Sequence, residues 1–216
     1  MMLPLRTPAD AERAAGAVAR QLAARRLLGY PTETVYGLGS AADPESLAHL
    51  AALKGRPPGK PFLLLVSSRA MAERWGLVFT PAADALAGAF WPGPLTLVLR
   101  GGEGRLPDLL RGREGGIAVR QTSHRAVSRL IELLDQPLTS TSANRPGTQP
   151  APGVEQIAAL FPEAVADGTL LLLDGGVLGN VPPSTLVDCT SPAPQLVREG
   201  ALPRAELRRL AGSLAP

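Results

Sequence analysis

Short apolar runs, closed off at intervals by proline and glycine, set the tightest limit on what this chain can fold into. Phe62–Val66 and Leu170–Leu173 suit buried strands and are far too short to cross a bilayer. Stretches of helical character alternate with such runs. The alanine-rich ADAERAAGAVARQLAARRLL predicts a first helix, with Pro8 in its first turn, Asp10 and Glu12 toward its positive end, and Arg25 and Arg26 near the other. Asp43-Pro44 caps a helix through about Leu53, and Ser68 and Thr80-Pro81 open helices ending near Trp75 and Phe90. Ser123 caps a helix through Leu134, and Val154–Phe161 and Ala205–Ala211 complete the helical set. Strands are expected at Leu27–Tyr30, Phe62–Val66, along WPGPLTLVLR, and at Gly116–Arg120, Leu138–Thr141, Leu170–Leu173, Thr185–Asp188 and Gln195–Arg198. Helices and strands mix without strict βαβ alternation. The pattern predicts an α/β fold of the α+β type, a single twisted mixed sheet with flanking helices, as one domain over residues 1–216. No G-x-G-x-x-G follows a strand and no G-x-x-x-x-G-K-[ST] loop occurs, so any nucleotide must be held in another way.

Composition narrows the chemistry. Apolar residues make up 45% of the 216 and charged residues 19%, an ordinary globular balance. Arg6, Asp10, Glu12 and Arg13 interrupt any secretory pattern at the N-terminus. Cys189 is the only cysteine, which excludes an intrachain disulfide and a cysteine-based zinc site. Only His49 and His124 could offer imidazole, so a histidine-rich metal centre is not expected either. A cytoplasmic protein without a membrane anchor fits these features. The net charge of +3 permits nucleic-acid contact without arguing for it. The choice of cation is more telling. Of 22 basic residues only Lys54 and Lys60 are lysines, and both fall in the segment KGRPPGK. Lysine is a compact point charge suited to a phosphate that shifts during reaction, whereas arginine clamps planar anions.

Polar segments stand at the ends of the expected strands, where sites in such folds form. Pro31-Thr32-Glu33-Thr34-Val35-Tyr36-Gly37-Leu38-Gly39 places hydroxyls, a carboxylate and a phenol before a glycine turn. Lys54-Gly55-Arg56-Pro57-Pro58-Gly59-Lys60 reads as a loop whose prolines and glycines fix the cations, with Lys54 contributing little to the core. Ser140-Thr141-Ser142-Ala143-Asn144 offers neutral donors and acceptors for phosphate, ribose or an amino-acid head group. Arg120, Ser184-Thr185 and Arg198 are scattered at further strand ends. Neither histidine is expected to act as acid or base, and no Ser/His/Asp arrangement or useful carboxylate pair is visible.

PTETVYGLG, then K-G-R-P, S-T-S-A-N, S-T-L-V-D and a late R-E-G, in that order over about residues 10–203, resemble the YrdC-like (TsaC) family of L-threonylcarbamoyladenylate synthases. The resemblance implies a YrdC-like fold around a deep basic cavity, and condensation of L-threonine, bicarbonate and ATP to threonylcarbamoyl-AMP and pyrophosphate. A separate tRNA threonylcarbamoyltransferase complex then delivers the group to position 37 of tRNA. It also implies that Lys54 and Arg56 hold ATP phosphates, with Ser142, Asn144 and Arg198 on the nucleotide side. Thr32, Arg120, Ser140 and Ser184 surround threonine on the same reading. Mg2+ is expected to arrive on the ATP phosphates, since no carboxylate cage is visible. Where some family members carry a histidine on the strand after the K-x-R loop, this chain has Leu65, and its length resembles the short form. Two competing readings remain: a non-catalytic RNA-binding module of the same fold, contacting tRNA or double-stranded RNA, and the carbamoyl-transfer domain of a hydrogenase-maturation protein. The lone cysteine weighs against the second.

Overall fold

The structure, a computed structural model, describes residues 1–57, 59–112 and 114–211. Pro58 of the KGRPPGK loop, Arg113 and the final stretch 212–216 of the expected domain lie outside the described residues. The chain opens with β1 (Met2–Pro4), α1 (Pro8–Ala23), β2 (Leu27–Tyr30), β3 (Gly37–Gly39) and α2 (Pro44–Lys54). Then come β4 (Leu63–Val66), α3 (Arg69–Arg74), β5 (Leu77–Val78), α4 (Pro81–Phe90), β6 (Leu95–Gly101) and β7 (Ile117–Gln121). The rest is α5 (Arg125–Leu134), β8 (Leu138–Ser142), α6 (Val154–Leu160), α7 (Pro162–Ala166), β9 (Leu170–Asp174), β10 (Thr185–Asp188), β11 (Gln195–Arg198) and α8 (Arg204–Ala211).

The strands form one mixed sheet in the order β1-β9-β2-β3-β8-β4-β7-β6-β10-β11, with β5 paired to β6. Parallel pairs (β1/β9, β2/β9, β4/β7, β6/β10) mix with antiparallel ones (β2/β3, β3/β8, β4/β8, β6/β7, β10/β11). Leu171, Leu172 and Leu173 of β9 and Leu64, Leu65 and Val66 of β4 are buried, which is why these strands read as continuous apolar runs. Helix α1 packs on α5, where Ala126, Val127, Leu130 and Ile131 face the core.

Local chemistry explains most helix starts. Thr7 and Asp10 form a capping box for α1, and Asp43, Ser68 and Thr80 each cap through a side-chain oxygen. At α5 the cap is His124 rather than the expected Ser123: its Nδ1 accepts from Val127 N at 3.4 Å, one residue further along. The first helix ends at Ala23, because Arg25 at φ 56° turns the chain into β2.

The expected glycine turn of PTETVYGLG is instead strand β3, between β2 and β8. Its glycines serve close approach. A Cβ at Gly39 would drive into the carbonyl oxygen of Thr139 and stand 2.8 Å from Tyr30 Cε1. The buried Tyr30 hydroxyl donates to the same Thr139 oxygen at 2.8 Å, so neither neighbour can yield. Gly39→Ala is therefore expected to lower unfolding free energy by ~3 kcal/mol through overpacking. Chemical denaturation checks this, with a shift under about 1 kcal/mol contradicting the packing argument.

Candidate functional site

Side chains alternate across a strand, so one face of the sheet carries a fixed subset of its residues. Across β8, β4, β7, β6 and β10 the registers bring Ser140 opposite Leu63, Leu65 opposite Arg120, Ala118 opposite Val98, and Thr96 opposite Leu186. These eight residues line one cavity of about 680 Å3. The loops after β2, α2, β6, β8 and β9 complete its wall. Thr32, Lys54, Arg56, Arg120, Ser140, Ser142, Asn144, Ser184 and Arg198 all line it, so positions scattered over the sequence converge on one space. His49 lies exposed on α2 and His124 caps α5, and neither faces the cavity.

Lys54 is not a loop residue. It is the last residue of α2, whose cap Gly55 takes the left-handed conformation at φ 61° that releases the chain from the helix. The side chain is 5% exposed. Its Nζ donates to Ser142 O at 2.6 Å, to Asn144 O at 2.6 Å and to Asn144 Oδ1. Ser142 Oγ donates to that same amide oxygen at 2.7 Å, and Asn144 Nδ2 to Thr148 O at 2.5 Å. The lysine thus fixes the shape of the segment after β8. Burial, followed by the charges of Arg56 and Lys60, pushes the ammonium down to about 8, so it still carries its proton at neutral pH. Arg56 stacks 4.4 Å from the centroid of Phe62. It donates to Lys60 O (2.8 Å), Thr141 Oγ1 (2.7 Å) and Pro61 O (2.5 Å).

A second polar centre surrounds Arg120, which is 3% exposed. Its Nε donates to Gly93 O and one Nη to Thr34 Oγ1, both at 3.1 Å, while the other Nη stands 2.6 Å from Glu33 Oε1. Glu33 itself sits behind the guanidinium, off the cavity wall, and also accepts from Thr122 Oγ1. Sequence reasoning assigns Glu33 no role, although its place in PTET is a signal. Thr32 Oγ1 donates to Val35 O at 2.7 Å and accepts from the amides of Thr34 and Val35, so this hydroxyl shapes the loop. Tyr36 acts likewise, donating to Gly176 O and accepting from Gly175 N. Ser184 Oγ pairs with Thr96 Oγ1 at 2.8 Å, and Arg198 donates to Ser184 O at 2.8 Å. Leu65 presents an apolar side chain beside Arg120.

Lys54, Arg56, Lys60, Arg120 and Arg198 line the cavity together with Glu114 and Asp188, an excess of positive charge suited to an anionic ligand. Among the described residues no group of three or more His, Cys, Asp or Glu could hold a metal ion, and no helix is long and apolar enough to cross a membrane.

Residues 20–200 match the model of the Sua5/YciO/YrdC family, described as Telomere recombination. The chain belongs to this family. A Sua5/YciO/YrdC relative from Chromohalobacter salexigens, named Threonylcarbamoyl-AMP synthase, is 41% identical over 184 residues, covering 84% of this chain and 95% of its own. A protein of the same name from Pyrococcus abyssi is 34% identical over 190 residues, covering 88% of this chain and 54% of its own, so the chain spans about half the length of that relative. The crystal structure of P. abyssi Sua5 complexed with L-threonine superposes with a TM-score of 0.86 at 32% identity, over 99% of this chain and 62% of that one. The mixed sheet with flanking helices is therefore the architecture of this family.

The Glu33–Arg120 pair gives a measurable pH signature. Burial alone raises the Glu33 carboxyl, but the Arg120 guanidinium and then the Thr122 hydroxyl outweigh it and hold the group below the ordinary 4.5. A depressed folded value contributes stability that is full above 4.5 and disappears as pH falls through the folded value. Glu33→Gln is expected to cost ~2–3 kcal/mol near neutral pH, because Arg120 stays buried without its counter-charge. The difference from wild type should shrink as denaturation is repeated toward about pH 3. A difference independent of pH would remove the ion pair as its cause.

Proposed function

We propose that this protein is a nucleotidyltransferase that forms L-threonylcarbamoyl-AMP from L-threonine, bicarbonate and ATP, releasing pyrophosphate. The observation that carries the reading is the sharing of one cavity by two centres, the Lys54–Arg56 cations joined to Ser142 and Asn144, and the Arg120 centre with Thr32, Ser140 and Ser184. The first suits a triphosphate and the second an amino acid with carboxylate and hydroxyl. Relatives named Threonylcarbamoyl-AMP synthase and the threonine complex of P. abyssi Sua5 support the assignment.

The chemistry asks for alignment and charge neutralisation. Bicarbonate gives up hydroxide to become carbon dioxide, the neutral threonine amine adds to its carbon to give a carbamate, and the proton lost from nitrogen joins that hydroxide as water. A carbamate oxygen attacks the α-phosphorus, the bond from α-phosphorus to the bridging oxygen breaks, and the electron pair leaves with pyrophosphate. No protein nucleophile enters this sequence. Arg120, fixed by Glu33, Thr34 and Gly93, orients the threonine carboxylate beside Ser140 and Ser184. Lys54 and Arg56 place positive charge where it builds on the phosphates, with Ser142, Asn144 and Arg198 on the nucleotide side. Mg2+ enters as part of the substrate, bound to the ATP phosphates. The product serves threonylcarbamoyladenosine (t6A) formation at position 37 of tRNA, through a separate transferase complex in the cytoplasm. The alternative, an RNA-binding module without catalysis, uses the same positive charge but gives the Arg120 centre no task.

Purified protein is expected to release pyrophosphate from MgATP only when threonine and bicarbonate are both present. Binding of tRNA without any such release would favour the RNA-binding module. Arg120→Ala should lower kcat/KM for threonine by about 10²-fold, as expected for a lost charge-assisted contact. ATP affinity is expected to be level below pH about 8 and to fall above it, as Lys54 loses its proton. An affinity unchanged across that range would remove Lys54 charge from nucleotide binding.

A further inference from the structure

Beside the substrate cavity lies a second one, of about 530 Å3, and the two share Thr34, Val35, Gln149, Pro150 and Pro183 in their walls. None of the residues lining the second cavity carries a charge. One of its walls is Leu178–Pro183, the middle of the connection from β9 to β10. The root of this strap is clasped. The buried Tyr36 hydroxyl donates to Gly176 O at 2.7 Å and accepts from Gly175 N at 2.9 Å, and Leu178 N donates to Pro152 O at 2.8 Å. The far end is fixed as well. Ala201 N donates to Pro183 O at 2.9 Å, and Ser184, next in the chain, lines the substrate cavity with its hydroxyl on Thr96. Between these anchors the chain is held only by itself. Among the described residues, 179–182 make one backbone hydrogen bond, from Val181 N to Gly179 O at 3.0 Å, inside the segment. Val181 lines the second cavity and is nonetheless 40% exposed.

Protein interiors are close-packed, and a void of this size beneath an uncharged strap is not a packed arrangement. Gly179 makes the same point from the backbone. Its φ lies outside the left-handed region and a Cβ there would meet nothing within 4 Å, so this conformation gives no reason for glycine. A pivot does, because glycine reaches backbone angles closed to other residues. The Pro182-Pro183 pair that follows is stiff, so rotation at Gly179 swings Val181 rather than crumpling the segment. Resting on the synthase reading above, we infer that residues 179–182 are a strap that closes into the second cavity when the substrates bind. Gly179 is its pivot, and Val181 is the side chain that fills the space behind Thr34 and Val35. The opening it covers stands at the Arg120 end of the site, since Thr34 Oγ1 accepts from Arg120 Nη at 3.1 Å. Water entering there would cleave the mixed anhydride back to AMP and the carbamate. Closure expels that water, and burial of Val181 supplies the driving force. Ligand occupancy reaches the strap from both sides, through the Thr34-Val35 wall and through Ser184 at its end, so the closed state binds substrates better than the open one.

The test is the rate at which a maleimide labels Val181→Cys, with and without saturating L-threonine, bicarbonate, Mg2+ and α,β-methylene ATP. Cys189 does not compete, because it is buried and burial pushes its thiol up to about 12. Val78→Cys, 60% exposed on β5 and outside both cavities, is the control. The substrates should slow labelling of Val181→Cys by about tenfold, as for a strap closed roughly nine-tenths of the time, and leave Val78→Cys unchanged. A second variant reads the consequence. Val181→Asp resists burial in an uncharged cavity, so at unchanged melting temperature it should leave about threefold less intact threonylcarbamoyl-AMP per pyrophosphate released. Calorimetry on the wild type establishes that L-threonine and α,β-methylene ATP bind. Equal labelling of Val181→Cys with and without bound substrates overturns the strap. A Val181→Asp variant with the wild-type yield of intact product per pyrophosphate overturns it as well. Wild-type protein that binds neither L-threonine nor the ATP analogue overturns the synthase reading instead, and the task of the strap with it.

Discussion

A single ammonium group, Lys54 Nζ, ties the end of α2 to the segment that follows β8, and the phosphate side of the cavity is built on that tie. Taking a lysine out of water costs several kcal/mol, even after relaxation. Three oxygen acceptors offset the cost, since each hydrogen bond to a charged group contributes about 1.5–3 kcal/mol. The bargain works only if Ser142, Asn144 and the end of α2 keep their relative places. The Asn144 amide is pinned in turn by Ser142 Oγ and Thr148 O, so the network has no loose member. A charge held in this way is preorganised: nothing has to reorient when an anion arrives.

The second centre follows the same logic with different groups. Arg120 projects from β7 into the cavity and is held from behind by Glu33, which the loop after β2 delivers. The carboxylate lies off the wall, so it orients the guanidinium without meeting the ligand. The sheet registers then decide the spacing. Leu65, Arg120 and Thr96 stand side by side across β4, β7 and β6, with Ser140, Leu63, Ala118 and Val98 in the adjacent row. Polar groups therefore flank an apolar floor, which keeps the electrostatic interactions above it strong by limiting water.

Much of the fold was legible because its causes are local. Asp43, Ser68 and Thr80 announce helices through their own side-chain oxygens, and the apolar runs at Leu63–Val66 and Leu170–Asp174 announce buried strands through their composition. What misled most was something distant. Gly37–Gly39 reads as a turn because glycine permits one, yet the reason for Gly39 is the Thr139 carbonyl on a strand far along the chain. Lys54 reads as a loop lysine, but its acceptors are 88 and 90 residues away. His124 in place of Ser123 is a milder case, in which the ring nitrogen rather than the neighbouring hydroxyl accepts from Val127 N. The short strands β1 and β5 and the helix α7 carry too few residues for any periodicity to register.

By itself, the sequence determined the mixed α/β architecture, the placement of most elements, and the set of polar segments from which a site could be made, because propensity, capping and hydrophobic pattern act over a few residues. The order and joint presence of those segments also marked the family. Only the tertiary structure decided which groups are free to meet a ligand. It saturates Lys54 and Thr32 with internal partners, leaves Lys60 unengaged among the described residues, and sets Glu33 behind Arg120. The reason is physical: a hydrogen-bonding group has a fixed number of donors and acceptors. Whether they are already engaged depends on neighbours that the chain brings together only when it folds.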